Sequence, residues 1–214
     1  EYHLSIGSRW RSSSASAFLK PIRRRKNLQI LTRAFTERLL FKDKTAVGVE
    51  VLVNGKRLQI LAETEVILSA GSIQSPQILQ LSGIGPPVVL RRQGINIVSE
   101  SPDVGRNLQD HYQMRTIVKM RSNHSLNNQI RNPVELAKMG FDWLIRGRGP
   151  LTIGAGQVGG AMRTRYASAC EPDLQLFVMP LSVDKPGEPL HTYSGFTSAI
   201  WQCHPKSRGS IEIK

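Results

Sequence analysis

Residues 71–85 read GSIQSPQILQLSGIG, and the fold prediction starts from this stretch. Residues 65–69 (EVILS) come shortly before it and predict a short strand of the nearly continuous apolar kind found in parallel sheets. Ser75 and Pro76 fit a helix N-cap followed by proline at the first helical position. Gly83 would end that helix after little more than one turn. The stretch therefore predicts a strand, a tight turn and a short helix.

The turn between this strand and this helix predicts a ligand crevice. Glycine has no Cβ, so the backbone at Ala70 and Gly71 can approach a flat or anionic cofactor closely. A helix that starts nearby directs unpaired N–H groups and the positive end of its dipole toward the same place. In sheets of this kind, ligands bind beyond the carboxyl ends of the strands. The alternative is that Gly71 and Gly83 only form turns around a packed helix. A structure in which side chains cover the Ala70–Gly71 bend would favour this alternative.

The residues before this unit predict a short helix and a small antiparallel sheet. Serines at positions 12–14 can cap a helix that Pro21 ends. Residues 27–32 (NLQILT) predict a buried strand. Three further strands are predicted at 38–41, 46–53 and 57–61, joined by a polar turn at 42–44 and a hairpin turn at Asn54-Gly55.

The residues after this unit predict an antiparallel sheet with one sizeable helix. Residues 133–146 show helical periodicity. Strands are predicted at 114–120, 174–179, 196–203 and 210–213. The change in pattern places a domain boundary close to His111, and the predicted fold class is mixed α/β and α+β.

Composition restricts the functional classes. The chain has 214 residues, of which 40% are hydrophobic and 21% charged, so a packed core is expected. Its apolar runs fall short of the roughly 18–20 residues that a membrane helix needs. Cys170 and Cys203 are far apart and lack metal-type spacing, which predicts no disulfide framework and a reducing compartment. The cytoplasm is the expected location, with peripheral membrane association left open.

The net charge of +13 raises nucleic-acid binding as an alternative function. The densest basic cluster is RRRK at residues 23–26, but a strand-like run follows it at once and no aromatic ladder accompanies it. A solvated turn or an interface is therefore the favoured interpretation of this cluster. A steep loss of nucleic-acid affinity with added salt would support the alternative.

Two other patterns are interpreted as structural. Residues 154–159 (GAGQVG) spell the dinucleotide-binding pattern, but they lack the strand before it and the well-placed acid after it. They are predicted to lead into a strand instead. The histidines show no spacing typical of a metal site, and the chain contains no G-x-S-x-G hydrolase motif.

Residues 71–85 resemble the second signature of the glucose–methanol–choline (GMC) oxidoreductases, with matching glycine, Ser-Pro and Ser-Gly-x-Gly positions. Residues 104–111 (VGRNLQDH) resemble the next block of that family. Residues 27–34, 46–50 and 205–209 also resemble it, in the right order, so the resemblance covers essentially the whole chain. The chain starts with EYHL and stops within a strand-like pattern, so both ends are expected to be truncations.

The resemblance implies FAD as the cofactor and an interior piece of two domains. Residues 1–111 would be part of a Rossmann-like FAD-binding domain without its phosphate loop, and 112–214 part of a substrate-binding domain without its catalytic segment. By resemblance the FAD contacts are Thr36 (through its backbone, where the family usually has an aliphatic residue), Ala70, Gly71, Asn107, Asp110 and His111. Gln157 lies where many relatives carry a carboxylate in the substrate pocket, which makes choline a less suitable substrate.

The resemblance also implies the reaction. Members of the family oxidise the CH–OH group of a small-molecule alcohol, with hydride passing to the flavin N5 and a histidine near the C-terminus taking the hydroxyl proton. That histidine would follow residue 214, so no catalytic residue is assigned within this chain and the isolated chain is expected to be inactive. The alcohol and the electron acceptor stay open. A non-catalytic scaffold or pseudoenzyme of the same fold is the other alternative.

Overall fold

The computed structural model describes residues 6–7, 10–152, 154, 156–168, 170–185 and 187–214. The chain divides into two compact units. The first unit consists of Gln29–Asp110 and Lys206–Lys214, and the second unit of Glu1–Leu28 and His111–Pro205.

The strands are β1 (Ile6–Gly7), β2 (Trp10–Arg11), β3 (Ala34–Lys42), β4 (Thr45–Val53), β5 (Lys56–Leu61), β6 (Ile84–Gly85), β7 (Ser99–Glu100), β8 (Gln113–Lys119), β9 (Val158–Met162), β10 (Leu174–Met179) and β11 (Gly195–Gln202). The α-helices are α1 (Lys20–Ile22), α2 (Gly71–Leu81), α3 (Pro87–Arg92), α4 (Leu126–Arg131) and α5 (Pro133–Phe141). Two π-helical turns span Ala15–Leu19 and Asp142–Arg146, and a 3₁₀ turn spans Pro150–Thr152.

In the first unit, β3, β4 and β5 form the predicted antiparallel meander. Both residues of the Asn54-Gly55 turn have positive φ (50° and 77°), as the two-residue hairpin turn that matches strand twist requires. Leu39 of β3 and Val51 of β4 are 8% and 3% exposed and belong to the core. Helix α2 packs against β3, and a short parallel pair joins β6 to β7.

Three of the predicted strands are wrong. Residues 27–32, 65–69 and 210–213 form no strand ladder. Ile30 is 41% and Ile67 78% exposed, so the runs at 27–32 and 65–69 are not buried strands, whereas Ile213 of the third run is buried without belonging to a strand. A short apolar run does not form a strand unless another strand supplies its ladder hydrogen bonds, and the run itself does not specify that neighbour.

Two predicted helix limits also differ from the structure. Helix α2 begins at Gly71, with Ala70 as its N-cap, and Pro76 lies inside it rather than at its first position. The predicted stop at Gly83 (φ 85°) is confirmed, since α2 ends at Leu81. Pro21 does not end the helix before it, because α1 follows the π-helical turn without a break and the helical segment ends one residue later, at Ile22.

In the second unit, four antiparallel strands are ordered β8-β11-β10-β9. The predicted strands at 114–120, 174–179 and 196–203 are confirmed, and residues 154–159 do lead into a strand, β9. The predicted helix at 133–146 is α5 followed by a π-helical turn. Its N-terminus is capped by Asn132, whose Oδ1 accepts the backbone N–H groups of Val134 and Glu135.

The prediction of a mixed fold is confirmed, with antiparallel sheets in both units and a parallel pair in the first. The predicted domain ranges, 1–111 and 112–214, are continuous in sequence, whereas each compact unit is built from two separate segments. The assignment of those ranges to FAD and to substrate remains a prediction. Across the described residues, the helices are too short or too polar to traverse a lipid bilayer.

Candidate cofactor site

The first cavity lies between the start of β3 and one face of α2, from the N-cap Ala70 to the last helical residue, Leu81. Its volume is about 170 Å³. It brings together Thr36 and Ala70, which were both predicted to contact the cofactor. The lining residues are Ala34, Phe35, Thr36, Ala70, Gln74, Gln77, Ile78 and Leu81. A cavity therefore lies beside Ala70, although residues 65–69 form no strand in front of it and Gly71 does not line it.

The Ala70–Gly71 bend is open on the side where a glycine side chain would be. Gly71 has φ +88°, and a Cβ added to it would meet no atom within 4 Å. The bend is held from within the helix, because the Ala70 backbone N–H donates to Ser75 Oγ at 3.1 Å. A ligand can therefore lie against backbone whose conformation is fixed, as expected for a cofactor cradle.

The C-terminal end of α2 is anchored to the sheet. The Leu39 backbone N–H donates to the buried Ser82 Oγ at 2.8 Å, and that hydroxyl donates to the Ile78 carbonyl. At Gly83 an added Cβ would lie 2.4 Å from the carbonyl oxygen of Asn96, so a side chain has no room there. Ser82 and Gly83 thus position the helix that carries the first cavity.

A second cavity, of about 370 Å³, lies on another side of α2. Helix residues form one wall and the loop at residues 104–109 forms the other. The lining residues are Ser72, Ser75, Pro76, Leu79, Val104, Gly105, Arg106, Asn107, Leu108, Gln109 and Ile211. Asn107 has φ 59°, an uncommon left-handed conformation for a residue other than glycine.

The remaining predicted site residues, Gly71, Asp110, His111 and Gln157, do not line these two cavities. Asp110 is exposed and ends the main segment of the first unit. His111 is exposed and Gln157 half-buried, and both belong to the second unit. The Gln157 backbone N–H donates to the Val178 carbonyl at 3.0 Å, which fixes the chain just before β9.

The other histidines stand in separate settings. His191 Nε2 lies 3.2 Å from Asp184 Oδ1, and the exposed His204 lies 3.9 Å from Glu171. His3 lies outside the described residues. Within the part of the chain that the structure describes, no three His, Cys, Asp or Glu residues are grouped to hold a metal ion.

Two carboxylates outside the cavities have perturbed pKa values. The hydroxyl and backbone N–H of Thr164 donate to Asp173 and hold the pKa of that carboxyl below its ordinary value. The Arg38 guanidinium donates to Glu50 and likewise lowers the pKa of Glu50. Both shifts favour the charged carboxylate and are typical of structural pairs.

The sequence predictions missed the two glutamines of the first cavity, Gln74 and Gln77. They are three residues apart on α2, so they lie on one face of the helix. With Ser75 as the predicted N-cap and Pro76 as the first helical residue, Gln74 lies before the predicted helix. A helix start at Gly71 would have placed both side chains beside Ala70.

The chain matches one protein family over about half of its length, and the matched range includes residues 71–85. Residues 2–113 match the family profile described as GMC oxidoreductase. The chain is 35% identical over 207 residues to oxygen-dependent choline dehydrogenase of Burkholderia thailandensis and 34% identical over 211 residues to that of Photobacterium profundum. These alignments cover 95% and 99% of this chain.

Solved structures show the same fold. Pyridoxine 4-oxidase from Mesorbium loti superposes with a TM-score of 0.75 at 27% identity, over 97% of this chain and 37% of that protein. A formate oxidase variant from Aspergillus oryzae superposes with a TM-score of 0.79 at 22% identity, over 90% of this chain and 38% of that protein. The chain spans about 36–37% of the length of the curated relatives named above.

Proposed function

Because the chain belongs to the GMC oxidoreductase family, we propose that it forms part of an FAD-dependent enzyme that oxidises the CH–OH group of a small-molecule alcohol. Membership in the family confirms the resemblance found in residues 71–85 and, with it, the prediction of an oxidoreductase class that uses FAD. The alcohol as substrate, and the residues that hold the cofactor, are part of the proposal.

One observation carries the proposal: Thr36 and Ala70 meet in one cavity beside an open glycine bend. The two residues belong to segments that are far apart in sequence, and the family resemblance assigns both of them to FAD. We place the adenine end of FAD in this cavity, against the backbone of Thr36 and of the Ala70–Gly71 bend. Gln74 and Gln77 add amide groups that can donate and accept hydrogen bonds there.

The chemistry is divided between cofactor and protein. Bound FAD would supply the hydride acceptor, the flavin N5. This chain would supply binding and orientation, since the open Gly71 backbone lets the cofactor approach and Ser75 keeps the bend fixed. Asn107, Asp110 and His111 are proposed as further contacts to the cofactor, and no residue of this chain is assigned as the proton acceptor.

Gln157 bears on the choice of alcohol. We place Gln157 in the substrate pocket, where its neutral amide offers no charge to balance a quaternary ammonium group. We therefore expect a neutral alcohol to be a better substrate than choline, although the relatives named above are choline dehydrogenases.

The test is reduction of the bound flavin in the complete natural polypeptide. FAD is bound, oxygen is removed, and choline and a set of neutral primary alcohols are added in turn while the visible absorption of the flavin is followed. Bleaching by at least one alcohol is expected. A polypeptide that binds no FAD, or whose flavin no alcohol bleaches, would contradict the proposal.

The 214-residue chain alone provides a second test of the proposed function. It spans only part of the relatives' length, and so it is expected to bind FAD weakly and to turn over no alcohol. Turnover of any primary alcohol by this chain with added FAD would show that the proposed division of the site is wrong.

We also propose a reducing compartment, the cytoplasm, as the location. Cys170 and Cys203 are both free, which is the usual state of cysteines where thiols are kept reduced. The exposed Cys170 would be trapped by a thiol-specific reagent in freshly lysed cells if this is right, and would already be oxidised if it is wrong.

A further inference from the structure

A buried glutamine of α2, Gln80, links this helix to two other segments of the first unit, the loop at Val104 and the chain at 211–213. Gln80 has no exposed surface. Its Nε2 donates to the carbonyl oxygens of Ile211, at 2.9 Å, and Val104, at 3.3 Å. Its Oε1 accepts the backbone N–H of Ile213 at 3.0 Å. An amide buried without partners would be costly, so these three bonds explain why a polar side chain occupies this position.

The segments that Gln80 joins form a wall of the second cavity. Val104 and Ile211 both line that cavity, opposite the residues of α2. The two segments are also bonded to each other, because the Ile211 N–H donates to the Gly105 carbonyl at 2.7 Å and the backbones of Leu108 and Gly209 exchange hydrogen bonds. Gln80 lies behind this wall and does not line the cavity itself.

Close packing at Gly105 shows how tightly this junction is built. Gly105 has φ +82°, and an added Cβ would lie 2.2 Å from the Ile211 carbonyl oxygen and 2.6 Å from Gln80 Nε2. The loop can therefore approach the glutamine only with glycine at this position. Two residues later, Asn107 adopts its left-handed conformation, which persists only where the surrounding structure holds it.

We propose that Gln80 is a positioning residue that holds the loop at residues 104–109 in the shape that presents Asn107 to the cofactor. This inference rests on the proposed function, in which Asn107 contacts FAD. Shape alone does not account for Gln80, since a leucine or methionine would fill a similar volume without bonding the three backbone groups. The nearby pairs of Glu212 with Arg92 and Arg106, both at 3.3 Å, are partly exposed and can be screened by salt.

The test compares Gln80→Leu and Gln80→Glu with Gln93→Leu in the complete natural polypeptide. Gln93 is exposed just after α3, so its substitution controls for the loss of an amide. The dissociation constant of FAD is measured by flavin fluorescence, and hydrogen exchange is measured for the amides of residues 104–109. Both are recorded well below the melting temperature of each variant.

Gln80→Leu is expected to raise the Kd of FAD by about tenfold, the effect of one good hydrogen-bonding interaction, and to speed exchange at residues 104–109. Gln93→Leu should leave both unchanged. Gln80→Glu should share the defect at neutral pH and recover part of the affinity as the pH is lowered, since a protonated carboxyl can again donate one hydrogen bond. If Gln80→Leu does not fold, Gln80→Glu carries the test.

The outcomes separate this inference from the proposed function. A Gln80 variant that melts earlier but keeps both the wild-type Kd for FAD and the wild-type exchange at residues 104–109 would give Gln80 a purely structural role and overturn the inference. If the wild-type polypeptide binds no FAD, the proposed function fails. In that case, unchanged hydrogen exchange at residues 104–109 in the Gln80 variants would still show that Gln80 does not position the loop. Faster exchange there would support the positioning role of Gln80.

Discussion

Gly71 and Gly94 are two glycines of the first unit with open space around them but different places in the fold. Gly71 begins α2, next to Ala70 of the first cavity, whereas Gly94 follows the C-cap of α3. Both have positive φ (88° and 65°), and a Cβ added to either would meet no atom within 4 Å. Alanine at either position should cost about 1–2 kcal/mol, because a left-handed conformation is unfavourable for residues with a Cβ. The steric space is open in both cases, so strain is the main expected cost.

Only Gly71→Ala is expected to weaken FAD binding, because Gly71 follows Ala70 at the bend of the first cavity. Urea denaturation and FAD titration of both variants provide the measurement. Equal FAD affinity for Gly71→Ala and Gly94→Ala would show that the bend does not contact the cofactor.

Gly83 tests steric crowding in addition to strain. It has φ +85°, and an added Cβ would lie 2.4 Å from the Asn96 carbonyl oxygen and 3.0 Å from Val98 Cγ2. Because backbone atoms cannot move away cheaply, Gly83→Ala should cost about 3 kcal/mol or more in free energy of unfolding. The urea midpoint of Gly83→Ala should therefore lie well below that of Gly94→Ala. Equal midpoints would show that steric crowding at Gly83 does not add to the cost.

At the scale of elements, helix α4 is bonded to the loop between β10 and β11 through the fully buried Asn127. Its Nδ2 donates to the Ser182 carbonyl at 3.1 Å and to the His191 carbonyl at 3.0 Å, and its Oδ1 accepts the Ser182 N–H at 2.9 Å. Asn127→Ala would remove the Asn127 partner of the buried Ser182 N–H and of the His191 carbonyl and should cost about 2–4 kcal/mol.

The neighbouring Asn128 serves as the control, since its side chain bonds only Asn123 among the contacts described and that bond is exposed. Asn128→Ala should change the free energy of unfolding by less than about 1 kcal/mol. Thermal or urea unfolding of the two variants measures the difference. Similar losses would mean that the loop is held by other contacts.

Helix α2 shows which parts of an element local patterns can predict. Its C-terminal stop followed from Gly83, because a left-handed residue after the last turn is a local property of glycine. Its start did not follow from Ser75-Pro76. The N-cap is Ala70, and Ser75 instead accepts the Ala70 N–H from inside the helix. A serine next to a proline is typical of a helix start, yet the same pair is compatible with a second helical turn.

At the scale of the whole molecule, acid should weaken both units. Asp173 in the second unit and Glu50 in the first have folded-state pKa values below their ordinary values. The unfolded chain therefore takes up protons at a higher pH than the folded chain does. The stability that these carboxylates contribute is fully present at neutral pH and is lost as the pH falls below about 4.5 and then through their folded pKa values.

Substitution of each carboxylate should flatten this dependence. Urea midpoints measured between pH 7 and pH 3 should fall less steeply for Asp173→Asn and for Glu50→Gln than for the wild type. Thr164→Ser keeps the hydroxyl donor to Asp173 and should retain the wild-type slope, whereas Thr164→Val removes that donor and should reduce it. If the urea midpoint of Asp173→Asn falls with pH as steeply as that of the wild type, Asp173 does not cause the loss of stability in acid.

The sequence by itself determined the family, the hairpins of β3–β5 and the strands and main helix of the second unit. These features depend on residues that are close in sequence, such as the Asn54-Gly55 turn, the period-2 strands and the signature of α2. The residues proposed to contact FAD were also named from sequence, but only through family resemblance, and their contacts remain predictions.

Tertiary structure decided which of these residues meet. The cavity shared by Thr36 and Ala70, and the bonds from Gln80 to Ile211 and Ile213, join segments that are far apart in sequence. The apolar run at 65–69 predicts burial, yet it forms no strand because the run does not specify a partner for its ladder. Long-range contacts depend on the packing of the whole unit, and a local pattern carries no record of that packing.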